Sequence, residues 1–328
     1  DFMRAWMIEQ PGEADVMKLG KVDQLRPGPE EVRIEVHAIG INRADIAQRR
    51  GFYPPPPGFD ARIPGLEYAG VVAETGDRVQ DLAAGDAVMG LVGGGAYAEQ
   101  LVVHERETLS VPAGLTMTDA AAIPEAFMTA WRALFLEAGL ASGQWCLVRG
   151  ATSGVGQAAL QLIRALGARS IATSRRQERL DMLSDIGFDL GLVDGDRGVA
   201  EAVHEHTGGA HVVLDFVGAA ALADNLASLR VDGTQVLIGL MGGRRAQIDL
   251  GAVLMRRLRL VAMTMRSLSL ERKILLARKF NDRLLPLFEG GKLVPRVDRV
   301  FDFEDAVEAH RLMESGAHLG KLILSVRK

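Results

Sequence analysis

The stretch Trp145-Cys-Leu-Val-Arg-Gly-Ala-Thr-Ser-Gly-Val-Gly156 decides the fold of this chain. Its apolar start predicts a buried strand, the glycines from Gly150 to Gly156 predict a tight turn, and residues 157–166 repeat apolar side chains at helical spacing. Strand, glycine turn and helix in this order predict a site for a dinucleotide pyrophosphate, because glycines admit the phosphates and a helix N-terminus attracts them. The spacing G-x-x-x-G-x-G is unusual, so a plain strand-to-helix turn stays the alternative.

Composition indicates an ordinary globular enzyme. The chain has 328 residues, of which 48% are hydrophobic and 24% charged, and its net charge is −4. A nearly neutral chain without long runs of one sign disfavours nucleic acid or a membrane surface as a partner. No apolar run approaches the roughly 18–20 residues of a membrane span, and no segment has the pattern of a signal peptide. The single cysteine, Cys146, rules out internal disulfides and thiolate zinc clusters. We expect a cytoplasmic enzyme.

The order and spacing of the predicted strands and helices indicate two domains. Residues 3–121 contain short strands separated by glycine and proline turns, which predicts a small β-barrel. Residues 122–265 alternate strands and helices, which predicts a doubly wound parallel sheet of the Rossmann type. Residues 266–328 are expected to pack back on the barrel and complete it. The elements expected after the barrel are helices at 119–139, 177–186, 199–206, 220–229, 270–289 and 304–314, and strands at 170–173, 190–193, 212–215, 234–238, 258–263, near 300 and at 321–326.

The residues that end the second Rossmann strand favour NADPH as the cofactor. A typical NAD site has a carboxylate there, which binds the 2′-hydroxyl of the ribose. This chain instead has Thr173, Ser174, Arg175 and Arg176, with Arg179 one helical turn further on. Arginines with hydroxyls suit a 2′-phosphate, and Arg176 and Arg179 share one face of the helix. The alternative is that these arginines form a solvated helix start.

Short segments along nearly the whole chain form a recognisable set: Asn42-Arg-Ala-Asp45, Gln48-Arg-Arg-Gly-Phe-Tyr-Pro-Pro-Pro-Pro-Gly58, Pro64-Gly-Leu-Glu67, Gly85-Asp86, Ala122-Ile-Pro-Glu-Ala126, Ser153-Gly-Val-Gly156, Leu214-Asp215, Gly239-Leu-Met-Gly-Gly243 and Gly320-Lys321. With this combination the chain resembles the zinc-free medium-chain dehydrogenase/reductases of the quinone oxidoreductase (zeta-crystallin) family. It looks closest to the tumour-suppressor-inducible quinone oxidoreductase branch. The resemblance implies a GroES-like barrel, a Rossmann domain and NADPH in the cleft between them.

The resemblance also implies the residues of the site. Tyr53 and Asn42 would face the nicotinamide, and Ser153 would contact phosphate or substrate. The other implied cofactor contacts are Thr129, Gly150, Gly154, Val155, Gly156, the backbone of Gly239, Leu240, Met241, Thr264, Met265 and Arg266, and Lys321, which would reach the phosphates. Each side chain has a plainer interpretation as well. Tyr53 can pack on the proline turn, Asn42 can cap a helix, Ser153 can fill a turn and Lys321 can be a solvated lysine.

Three departures from related enzymes bear on the chemistry. Zinc alcohol dehydrogenases have Cys where Asn42 stands and His where Leu66 stands, and Glu67 alone cannot bind a catalytic zinc. His204 and His206 diverge on one helix and are not expected to be ligands. Asp194 stands where the branch tends to have an aromatic ring near the adenine, which puts that contact in doubt. We therefore expect no metal.

These features predict an NADPH-dependent quinone reductase. A quinone needs no polarising metal, because its reduced product gains aromaticity, so the protein contributes mainly positioning. Another electrophilic acceptor is possible, and one alternative is an NADPH-dependent reductase of alkenal or alkenone double bonds. The alternative of another class is a non-catalytic NADPH-binding sensor or structural protein. A homodimer through the edge strand near residues 258–263 is expected.

Overall fold

The computed structural model describes residues 1–195 and 197–327, and the chain divides into two compact units. The first contains residues 1–125 and the segment from Met265 onward, and the second contains residues 126–264. The boundaries predicted from the sequence, at 121/122 and 265/266, lie close to these breaks. No helix of the described chain combines the length and apolar character needed to cross a membrane.

The strands are β1 (Phe2–Ile8), β2 (Met17–Asp23), β3 (Glu31–Gly40), β4 (Glu67–Thr75), β5 (Ala87–Leu91), β6 (Gln100–His104), β7 (Leu109–Ser110), β8 (Trp145–Val148), β9 (Arg169–Ser174), β10 (Leu190–Val193), β11 (Ala210–Asp215), β12 (Leu229–Leu237), β13 (Arg259–Ala262), β14 (Val297–Asp302) and β15 (Lys321–Ser325). The helices are α1 (Arg43–Arg49), α2 (Met117–Ala120), α3 (Pro124–Trp131), α4 (Gly154–Ala165), α5 (Gln177–Asp181), α6 (Ala200–Thr207), α7 (Leu222–Ser228), α8 (Leu250–Met255), α9 (Leu270–Arg283), α10 (Leu285–Glu289) and α11 (Ala306–Ser315). A π-helical segment, Arg132–Glu137, continues α3.

The first unit is built around β3, which alternates polar and buried apolar side chains as its period-two pattern predicts. In the described chain the main sheet has the order β14-β15-β3-β4-β5-β7, and β6 also pairs with β3. Strand β15 pairs antiparallel with β3 and parallel with β14, so the tail of the chain enters the middle of this sheet. Its core includes Trp6, Tyr68 and Phe303.

The second unit has a sheet whose order, within the residues described, is β10-β9-β8-β11-β12-β13, with every pair parallel. The order of the strands along the sheet reverses between β8 and β11. Doubly wound sheets bind dinucleotides at such a reversal. The predicted α/β fold class, a Rossmann-type parallel sheet with a GroES-like domain, is confirmed.

Several predicted elements have different bounds. The helix expected over 270–289 is two helices, because Pro286 lacks the N–H that would continue α9 through this point. The helix expected over 177–186 ends at Asp181, and the chain then tightens into turns with i→i−3 bonds such as Ser184 N to Asp181 O. Strand β12 starts at Leu229, earlier than expected, and β2 and α8 were not predicted.

Candidate cofactor and active site

The glycine-rich turn fits a dinucleotide pyrophosphate. Helix α4 begins at Gly154, and the Ser153 hydroxyl caps it by accepting the Gly156 N–H at 3.0 Å. A Cβ on Gly156 would lie 2.5 Å from the carbonyl oxygen of Gly150, so the close packing of helix and loop requires glycine there. Helix geometry leaves the N–H groups of Gly154 and Val155 without an intrahelical acceptor. These groups, with the positive end of the helix dipole, suit an anionic phosphate.

The end of β9 presents positive charge to solvent. Arg175 and Arg176 are exposed, Arg176 is the N-cap residue of α5, and Arg179 lies within that helix. The buried Thr173 hydroxyl donates to the Val148 carbonyl at 3.1 Å and so joins two strands. A contact of Thr173 with the cofactor stays a prediction. Ser174 is half-buried beside the arginines.

A buried guanidinium lies directly before the glycine turn. Arg149 is 1% exposed and donates to Asn225 Oδ1 at 2.6 Å, to Asp194 Oδ2 at 2.7 Å and to Asp224 Oδ2. Asp224 also accepts the N–H groups of Val199 and Ala200 at the start of α6. Arg149 therefore ties the end of β8 to the end of β10 and to α7. The sequence analysis did not single out this arginine, although a charged residue at the end of an apolar strand was a signal.

The other residues of the second unit that are predicted to contact the cofactor differ in their exposure to solvent. Leu240 and Met241 are exposed in the loop after β12, but the Met241 N–H already donates to the Phe216 carbonyl at 3.1 Å. Thr129 is buried on α3. The Thr264 carbonyl accepts from Arg132 at 2.9 Å, and this bond fastens the last residue of the unit to the π-helical segment. A contact of these groups with nicotinamide stays a prediction.

In the first unit, Arg266 organises the loop that carries Tyr53. Its guanidinium donates to the carbonyl oxygens of Gly93 at 2.6 Å and Tyr53 at 2.8 Å, and to Gln48 Oε1. It also lies over the Tyr53 ring, 5.0 Å from the ring centre. Burial raises the pKa of Tyr53 and lowers that of Arg266. The Arg266 side chain therefore fixes the backbone of the loop that carries Tyr53, and its guanidinium covers the Tyr53 ring.

Asn42 and Lys321 have partners that the sequence did not predict. The Lys321 ammonium is buried, bonds to Glu67 Oε1 and donates to Asn42 Oδ1 at 2.6 Å. The Asn42 amide donates to Glu67 Oε1 at 2.9 Å, and Glu67 Oε2 accepts the Glu125 N–H at 2.8 Å. Lys321 is thus not a solvated lysine, because its ammonium is buried and paired inside this unit, and a contact of Lys321 with the cofactor phosphates stays a prediction. Asn42 does occupy the N-cap position of α1, as its plainer interpretation implies.

This cluster does not suit zinc. A catalytic zinc needs about three protein ligands. Here the positions in question hold an amide (Asn42), an apolar side chain (Leu66) and a carboxylate already paired with an ammonium (Glu67). Over the described residues, no group of three histidine, cysteine, aspartate or glutamate side chains is arranged to hold a metal. His204 and His206 instead bond to the Ala227 and Ala202 carbonyls.

A chain of buried hydrogen bonds runs beside this cluster. Arg49 donates to His310 Nδ1 at 3.0 Å, so the neutral imidazole carries its proton on Nε2 and donates it to the Tyr97 hydroxyl at 2.9 Å. Tyr97 donates in turn to Asp45 Oδ2 at 2.9 Å, which also accepts the Asn42 N–H. Burial raises the pKa of Asp45 to about 7, and burial with the nearby Arg49 charge lowers that of His310 to about 3.

The fold and the glycine turn define a chain of two compact units, one of which has the parallel sheet of dinucleotide-binding proteins. The chain matches the alcohol dehydrogenase GroES-like domain over residues 28–113 and the zinc-binding dehydrogenase domain over residues 154–279. It belongs to the medium-chain dehydrogenase/reductase family, whose quinone oxidoreductase-like members are among its relatives. The second of these domains is described as zinc-binding, whereas the positions considered above hold Asn42, Leu66 and a Glu67 that is paired with Lys321.

Particular relatives are similar along nearly the whole chain. A quinone oxidoreductase-like protein 2 homolog of Nematostella vectensis is 30% identical, and the match covers 99% of this chain and 89% of that protein. A Pseudomonas syringae quinone oxidoreductase of known structure has a TM-score of 0.89 and 27% identity, with 99% and 100% of the two chains covered. A mycocerosic acid synthase-like polyketide synthase of Mycobacterium tuberculosis is 31% identical over 97% of this chain, which spans 15% of that protein's length.

Proposed function

We propose that this protein is a zinc-independent, NADPH-dependent quinone reductase. The observation that carries the proposal is the Lys321 ammonium, which bonds to Glu67 and Asn42 at the positions where zinc alcohol dehydrogenases bind metal. Without a Lewis acid, an ordinary carbonyl is a poor hydride acceptor, whereas a quinone gains aromaticity on reduction. The similarity to quinone oxidoreductase-like proteins supports the same conclusion.

The residues of this chain have separate tasks in the proposed reaction. Bound NADPH supplies the hydride. The turn from Gly150 to Gly156 holds the pyrophosphate, and Arg176 and Arg179 pair with the 2′-phosphate. Arg266 holds the Tyr53 loop in one conformation. Because burial raises the pKa of Tyr53, its hydroxyl stays protonated and can donate to an acceptor oxygen.

Steady-state oxidation of NADPH tests the proposal. We expect a larger kcat/KM with 1,2- and 1,4-quinones than with enals, in protein that contains no stoichiometric zinc by elemental analysis. A larger kcat/KM with enals would instead support a double-bond reductase. Nucleotide binding without turnover of either class would support a non-catalytic role. Replacing Arg176 and Arg179 by alanine should weaken NADPH more than NADH, and an equal loss would place the 2′-phosphate elsewhere.

We also propose that the protein forms a homodimer through β13. This strand is the last in its sheet, and the residues around it expose large apolar side chains. Leu250, Leu254 and Met255 are 70%, 76% and 77% exposed on α8, and Leu260 is 46% exposed on β13 itself. A strand at the edge of a sheet, beside an exposed apolar patch, is suited to pairing with a second copy about a two-fold axis.

A further inference from the structure

Asp194 places a carboxylate beside the predicted ribose site, one strand away from its usual position. Val193, the last residue of β10, pairs with Ser174, the last residue of β9, and the Asp194 N–H donates to the Ser174 carbonyl at 2.9 Å. In a typical NAD site the carboxylate that binds the ribose 2′-hydroxyl follows the second strand of the sheet. Here the second strand ends at Ser174 and is followed by Arg175, and the carboxylate of Asp194 follows the neighbouring strand.

Asp194 is held in place and still has capacity to accept a hydrogen bond. Its Oδ2 accepts from Arg149 at 2.7 Å, and Arg149 itself is buried and fixed by Asn225 and Asp224. The Asp194 side chain is 30% exposed. An ionised carboxylate has acceptor sites on both oxygens, so Oδ1 can accept from a ligand while Oδ2 stays on the guanidinium.

The cluster around Arg149 contains two carboxylates and one guanidinium, so its formal charge is negative. One guanidinium faces two carboxylates, those of Asp194 and Asp224. Asp224 is turned toward the first amides of α6, whereas Asp194 lies at the carboxyl edge of the sheet next to Ser174. The end of β9 therefore has two opposed influences: exposed arginines that attract a 2′-phosphate, and a fixed carboxylate that repels it.

We propose that Asp194 limits the selectivity of this protein for NADPH, by accepting a hydrogen bond from the ribose 2′-hydroxyl of NADH and by repelling the 2′-phosphate of NADPH. The protein then binds both nucleotides, and its preference reflects the balance between Asp194 and the arginines after β9. This inference rests on the proposed function only in requiring that a nicotinamide dinucleotide binds to the second unit.

The test measures the dissociation constants of NADH and NADPH by nucleotide fluorescence, with no acceptor present. The Asp194→Asn variant removes the charge and keeps an acceptor for Arg149. We expect the ratio Kd(NADH)/Kd(NADPH) to rise about fivefold or more, the size of a screened charge–charge interaction across several ångströms. The matched control is Asp224→Asn, which removes the other carboxylate of Arg149 on the side of α7 and should leave the ratio within about twofold of the wild-type value.

Each outcome decides the proposal. An unchanged ratio in Asp194→Asn, or the same shift in Asp224→Asn, would overturn it, because the effect would then be absent or would pass through Arg149. Should Asp194→Asn fail to fold, the unaltered protein provides a second measurement: 2′-deoxy-NADH should bind about tenfold more weakly than NADH, and equal affinity would overturn the proposal. Binding of neither NADH nor NADPH to the wild type would overturn the proposed function too, whereas NADPH binding with an unchanged ratio overturns this inference alone.

Discussion

Asp45 and His310 share the Tyr97 hydroxyl and affect stability in opposite directions as the pH changes. The pKa of Asp45 is raised from its ordinary value near 4 to about 7, so its contribution to stability is present at low pH and is lost as the pH rises toward 7. The pKa of His310 is lowered to about 3, so burying it neutral costs stability as the pH falls below about 6.5. Between about pH 4 and 6.5 the two effects oppose each other.

Replacing either Asp45 or His310 should therefore expose the pH dependence of stability that the other residue contributes. In Asp45→Asn, the free energy of unfolding relative to the wild type should rise by about 1.4 kcal/mol per pH unit between about pH 5 and 6.5. In His310→Gln it should fall with a similar slope over the same range. Urea unfolding at several pH values measures both. Parallel pH profiles for the wild type and either variant would show that the replaced group does not titrate as described.

Replacing one member of the buried Glu67–Lys321 pair should strongly lower the free energy of unfolding. Glu67→Gln leaves the Lys321 ammonium buried without its carboxylate, and such a loss typically costs about 3–5 kcal/mol. The double variant Glu67→Gln/Lys321→Met should lose less than the sum of the two single variants, because no unpaired charge remains.

A surface ion pair provides the control for that cycle. Glu35 lies 3.1 Å from Arg327 with both side chains partly exposed, so Glu35→Gln should cost less than about 1 kcal/mol. Denaturant unfolding of all four variants gives the comparison. If Glu67→Gln were no more costly than Glu35→Gln, the Lys321 charge would have to be solvated.

Among the helices, α4 depends on one glycine for its position against the loop. Gly156→Ala would place a Cβ 2.5 Å from the Gly150 carbonyl and 2.8 Å from the Ala151 Cα, both backbone atoms. We expect a loss of about 1–3 kcal/mol in unfolding free energy and weaker nucleotide binding, since the loop must shift.

A second helical glycine makes a matched control. The nearest atom to a Cβ on Gly251 of α8 is the Asp249 Oδ1 at 3.1 Å, the end of a side chain. Gly251→Ala should therefore be neutral or stabilise by up to about 1 kcal/mol, as alanine favours a helix over glycine. Thermal unfolding and NADPH titration compare the two variants. Equal effects would mean that the loop has room at Gly156.

The elements also show what the sequence could predict. The apolar run Trp145–Val148 and the glycines after it predicted the strand, the turn and α4, because each signal lies within a few residues. Strand β2 was missed, since three of its seven residues are charged and, in the described chain, it forms a separate two-stranded sheet with β1. In the candidate site, the glycine turn and the arginines after β9 were local and could be predicted. The bond between Lys321 and Asn42 joins residues 279 positions apart, and no local pattern marks it.

At the scale of the whole molecule, the proposed dimer predicts that a charge placed in the apolar patch of α8 will lower the mass of the particle in solution. Leu254→Asp places a charge in the exposed patch of α8 and should convert a dimer into a monomer in sedimentation velocity experiments. Leu275→Asp is the control, because Leu275 is also about half exposed but lies on α9 of the other unit. A wild type that sediments as a monomer, or equal dissociation by both variants, would contradict the interface.

The place of β15 in its sheet has a consequence for how the chain is made. β15 lies between β14 and β3, and the ribosome begins it 281 residues after the end of β3 (321 minus 40). The second unit is continuous and can fold while the first still lacks a central strand. Such late, distant pairing is slow, and until it occurs the edges of β3 and β14 offer open hydrogen-bonding groups. A nascent chain that stops before Lys321 should therefore contain a folded nucleotide-binding unit and an aggregation-prone barrel.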